Sequence, residues 1–107
     1  MNHQERKAAF IRLGRVLEGI SKNPQESDWA AAFNQAEATN RWFTQENMAL
    51  ALRGIAFMLQ VEKLDKWLSA YSDIPENGDK RVGLIMAGNI PLVGFHDLLS
   101  VLASGNT

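Results

Sequence analysis

The chain has 107 residues, with 11 Lys and Arg against 12 Asp and Glu, so no excess of positive charge argues for a nucleic acid or an anionic membrane as partner. Hydrophobic residues make up 46% and charged residues 21%, which excludes compositional disorder and fits one small domain or a piece of a larger one. Cysteine is absent, which removes disulfides, thiolate metal sites and a cysteine nucleophile from this chain.

The opening MNHQERKAAF is too polar for a signal peptide, and no apolar run nears the roughly 18 residues of a spanning helix. The cytoplasm is therefore the expected compartment. Met1 reads as a natural start, and His3, close to the terminus, is expected in solvent.

Residues 1–72 read as a helical region of about four helices. Phe10, Leu13, Leu17 and Ile20 recur at helical spacing, with Arg6, Lys7, Arg12, Arg15 and Glu18 mostly off the stripe. Asn23-Pro24-Gln25-Glu26 has the pattern of a capping box with proline at the first helical position, and Ser27 is an alternative cap. Either start predicts a second helix with Trp29, Phe33 and Ala36 on one face. Thr44 is the strongest N-cap candidate, with Glu46 in the first turn and Phe43 placed to staple onto Met48. Met48, Leu52, Ile55 and Leu59 then form one seam, and Val61, Leu64, Leu68 and Tyr71 another. No Gly or Pro separates the two, so one long helix and a bent pair both remain open.

Residues 73–80 form a linker within SDIPENGDK, whose Pro75, Asn77-Gly78 and charges are turn chemistry. Beyond it Val82, Leu84, Ile85 and Met86 form a near-continuous apolar run, the pattern of a strand covered on both faces. Gly88-Asn89-Ile90-Pro91 then reads as a tight turn. Pro91 opens a helix with Phe95, Leu98, Leu99 and Leu102 on its core face, and Ser104-Gly105-Asn106 ends it. The expected fold is an α/β fragment: helices, then one β-turn-α unit over 81–107. A lone strand needs neighbours that this sequence does not supply, and an unpaired apolar edge predicts self-association.

Val82 to Asp97, and with less specificity Asn40 to Asn47 and Lys63 to Leu68, resemble the acyl-CoA reductase family. These are relatives of the fatty-acid reductase of bacterial luminescence, within the aldehyde dehydrogenase-like superfamily. The resemblance implies an incomplete nucleotide-binding domain of Rossmann type in 81–107 and a parent oxidoreductase of fatty-acid metabolism. That enzyme would convert an acyl-CoA thioester to an aldehyde through an acyl-cysteine, using NADPH or NADH. It assigns Asn89 as the oxyanion donor and sets Ala87 and Gly88 beside the nicotinamide. Without the cysteine, a Gly-rich loop or the Lys-bearing strand expected just after Thr107, the chain reads as an inactive amino-terminal piece, a truncated fragment or remnant, that binds no cofactor alone.

From the residues alone, Asn89 reads as a turn former. His96 and Asp97 read as packing and helix-terminus residues, since no third partner completes a triad. Trp29, Trp42 and Trp67 read as helix-packing anchors, and Phe57-Met58-Leu59 as core or subunit contact. Glu62, Lys63, Asp65 and Lys66 read as a solvated face, and no metal-ligand spacing is present. The other functional class is a non-catalytic helical module that binds a partner helix or a second copy.

Overall fold

Asn2 starts the first helix. Its side chain accepts from the Glu5 N–H at 2.9 Å while the Glu5 carboxylate accepts from the Asn2 N–H at 2.8 Å, so a reciprocal capping box satisfies otherwise free donors. The computed structural model, which describes residues 1–71, 73–76, 78 and 80–107, carries this helix, α1, over His3–Lys22. Phe10, Leu13 and Leu17 of its stripe pack inward, and Ile20 continues the face toward a second apolar cluster.

Pro24–Glu26 makes a single 3₁₀ turn rather than the first turn of a helix, and Asn23 forms no side-chain cap. Ser27 Oγ accepts from the Trp29 N–H at 3.2 Å, and α2 follows over Ala30–Thr39. Thr44 caps α3 (Gln45–Met58), accepting from the Asn47 N–H at 3.1 Å, while Phe43 packs with Met48 beneath it.

Val61, Leu64 and Leu68 of the second seam belong to a separate helix, α4 (Val61–Leu68), after an extended Gln60, while Tyr71 lies beyond it and is 56% exposed. The break has a packing cause. Five residues beyond Leu59, an unbroken helix would carry Leu64 about 140° around its axis and out of the seam. Turning at Gln60 lets Leu59 and Leu64, each 1% exposed, enter one cluster with Ile55 and Leu99. The other cluster joins Phe33, Met48 and Leu52, and Leu17 touches both.

The last helix, α5, spans Phe95–Ala103, later than the start expected at Pro91. Residues 91–94 form a turn in which Leu92 adopts φ 58, and Leu98, expected in the core, is 37% exposed. Gly105, at φ 86, closes α5 as a Schellman motif. Its N–H donates to the Leu102 carbonyl, and the Asn106 N–H donates to Val101.

Among the described residues there is no β-strand, which overturns the α/β assignment and the β-turn-α unit of 81–107. The run 82–86 has no regular secondary structure and is largely uncovered: Ile85 is fully solvent-exposed, Val82 and Met86 nearly half so, and only Leu84 is partly buried. Its one lateral partner is Thr107, whose N–H donates to the Lys80 carbonyl at 3.1 Å and whose carbonyl accepts from the Val82 N–H at 2.7 Å. One residue of parallel-type pairing is not a ladder, and a ladder is what a strand requires. Asn77 of the expected turn lies outside the described residues.

His3 is not free in solvent. Its Nε2–H donates to the Ile74 carbonyl at 2.8 Å, and Nδ1 accepts from Arg6 Nη2 at 3.2 Å. A carbonyl only accepts and a guanidinium only donates, so these partners make Nε2 the donor and Nδ1 the acceptor. Arg6 also donates to the Met1 and Glu76 carbonyls. Ile74 and Glu76 are thus held against the start of α1, and Gly78 against the turn after α5, where its N–H donates to the Gly105 carbonyl at 2.9 Å.

The molecule measures 43 × 27 × 21 Å and exposes 7536 Å². A compact monomer of this mass exposes about 6,000 Å². The excess, about 1,500 Å², is about twice what one partner contributes to a standard protein–protein contact.

Candidate functional site

A wholly apolar hollow follows from the composition of α2. Ala32 and Ala36 keep that helix slim where it faces α1, and Phe33 is its only buried residue. Anchored through Phe33 on α3, α2 leaves a groove of about 420 Å³ between α1, α2 and α3. Leu17, Phe33, Met48 and Leu52 form its floor, and Val16, Trp29 and Leu92 stand at its mouth with 55%, 57% and 49% of their surface exposed. All thirteen lining residues are apolar.

Leu92 closes one end of the groove from a left-handed backbone. For a γ-branched residue with no amide or carboxylate to bond the local backbone, that conformation costs about 1–2 kcal/mol. The turn nevertheless holds an apolar side chain over the groove in that conformation.

The residues singled out from the sequence lie on another side. Asn89, in the bend 88–90, is exposed and borders a hollow of about 310 Å³ with Trp42, Asn47, Leu50, Ile90 and Pro91. Gly88 accepts from Asn40 Nδ2 at 3.2 Å through its carbonyl, and Ala87 and Gly88 are both exposed. No nucleophile stands in that hollow, and its chemistry is two asparagine amides among apolar groups. His96 and Asp97 are exposed in the first turn of α5, and the His96 ring lies 6.4 Å from that of Trp67. Of the three tryptophans only Trp67 packs against the core; Trp42 is 73% exposed.

Among the described residues no three His, Cys, Asp or Glu come together to hold a metal, and no helix is long and apolar enough to cross a membrane. The groove itself was missed from the sequence. Its only local sign is the run of alanines beside the lone Phe33.

No protein-family model, curated protein or solved structure matches the chain. With no strand beneath 82–86, the resemblance to acyl-CoA reductases loses its structural basis, and the chain gives no support to an oxidoreductase. NADPH or NADH as cofactor and acyl-CoA as partner go with it, since both rest on that resemblance and the nucleotide-binding fold it implies is absent from the described residues. Self-association through an orphan strand loses its basis for the same reason.

Proposed function

We propose that this chain is a non-catalytic helical interaction module whose groove between α1, α2 and α3 receives the apolar face of a partner's amphipathic helix. The observation that carries this reading is a groove walled entirely by apolar side chains and left open to solvent at Val16, Trp29 and Leu92. Exposed apolar surface of this kind favours covering, at roughly 25 cal/mol per Å² before the costs of association. An open apolar groove between three helices suits a helix laid in it, read through anchors at i, i+3 or i+4, and i+7. The strained Leu92 fits the same reading, because local strain is retained where the displayed side chain has a use.

Selection from a displayed library of random helical peptides provides the test. The expected winners carry apolar residues on one face, perturb the amide resonances of Leu17, Phe33 and Met48, and lose binding to Val16→Asp. Absence of any winner, or winners that perturb only residues outside the groove, would overturn the reading.

A further inference from the structure

The helix α3 is apolar on two sides. Its core side carries Met48, Leu52 and Ile55, while Glu46, Leu50, Arg53, Gly54 and Phe57 fall within one sector of about 100° on the opposite side. All five are exposed, Leu50 by 59% and Phe57 by 55%. No atom approaches within 4 Å of the position a Gly54 Cβ would take, so the face is open at Gly54. Trp42, the most exposed aromatic residue, lies just beyond the helix start. Among the described residues, neither the Glu46 carboxylate nor the Arg53 guanidinium has an ion-pair or hydrogen-bond partner.

We propose that this face of α3 pairs with the same face of a second copy, antiparallel, about a twofold axis beside Ala49 and Leu50. The charge pattern selects that occupant. Glu46 and Arg53 lie equally far along α3 on either side of the Ala49–Leu50 midpoint. Antiparallel pairing about that midpoint sets each Glu46 opposite the second copy's Arg53 and brings the two Leu50 side chains together. Parallel pairing would instead oppose Glu46 to Glu46 and Arg53 to Arg53. Gly54 contributes no side chain to the seam, so the helix axes can approach closely. Lys63 Nζ lies 3.9 Å from the Phe57 ring centroid, at the end of this face. A seam one helix long is smaller than a standard interface, so the dimer is a concentration-dependent one, with a Kd of order micromolar or weaker.

The inference rests on the interaction-module reading but uses a surface separate from the groove. Sedimentation velocity of the full chain from roughly 5 to 500 µM tests it, with Glu46→Arg and Arg53→Glu each expected to weaken association at least tenfold or so. Because each reversal sets like charges together twice per dimer, the double variant E46R/R53E is expected to recover the original affinity to within about threefold. A variant damaged in folding would not recover in this way. A chain monomeric throughout, single reversals without effect, or a double variant that fails to recover would each overturn the proposal. Val16→Asp is expected to leave the dimer intact. If it abolishes association instead, the interface is the groove: this proposal fails while the module reading stands.

Discussion

Leu59 approaches Gly14 so closely that a Cβ on the glycine would fall 2.8 Å from the leucine's own Cβ. This is where α1 crosses the end of α3, and the missing side chain permits the contact. Replacing Gly14 by alanine favours the isolated helix by about 1 kcal/mol, yet forces Leu59 or the helix axis to shift, at about 1–3 kcal/mol. Carbonyl oxygens of Leu59 and Ala56 lie at 3.5 and 3.6 Å from the same point, so the leucine has little room to withdraw. Gly14→Ala is therefore expected to lower stability. Gly19→Ala, on the same helix with nothing within 4 Å, is expected to raise it by roughly 0.5–1 kcal/mol. Urea unfolding of the two variants checks the pair, and a Gly14→Ala chain as stable as Gly19→Ala would refute the close approach.

Truncating Leu64 probes the turn at Gln60. Leu64 is 1% exposed and shares its cluster with Leu59 and Leu99, so Leu64→Ala is expected to cost about 2–5 kcal/mol. If α3 and α4 ran on as one helix, the same change would fall outside the seam and cost far less. The urea midpoint, read by far-ultraviolet circular dichroism, separates these outcomes.

Local chemistry made parts of the helical region legible. Thr44 was readable as a cap because a hydroxyl before an apolar stripe bonds a helix start whatever surrounds it, and Thr44→Ala is expected to cost about 1 kcal/mol. The Phe10–Leu17 stripe was readable for the same reason, since periodicity records which face is buried. Leu59 and Leu64 show the limit. Their break carries no Gly or Pro and comes from a shared core that only the tertiary fold defines. The run 82–86 shows a different limit. Continuous apolar sequence signals a covered strand only where neighbouring strands exist, and Thr107 supplies a single residue of pairing. The site was less legible still, because the groove is made by residues from three helices and a turn, none of them chemically distinctive.

Ile85 tests that correction directly. As the central residue of a covered strand it would tolerate no charge, yet it is fully exposed. Ile85→Asp is expected to leave the thermal midpoint unchanged and to raise solubility. A large fall in the midpoint would show that 82–86 is covered after all.

Leu92 separates stability from binding. Glycine adopts φ 58 without the steric cost that leucine bears, while it loses more chain entropy on folding, so Leu92→Gly is expected to leave stability unchanged or raise it by up to about 1 kcal/mol. The half-exposed side chain contributes little burial to offset that gain. The groove, however, loses one wall, and each buried leucine side chain contributes roughly 1.5–3 kcal/mol to such a contact. A peptide selected on the groove should therefore bind Leu92→Gly about tenfold more weakly, while urea unfolding shows an equal or more stable protein. Calorimetric titration beside the unfolding curve reads both quantities from one preparation. If stability and affinity fell together, Leu92 would be a packing residue, and the strained turn would have no part in recognition.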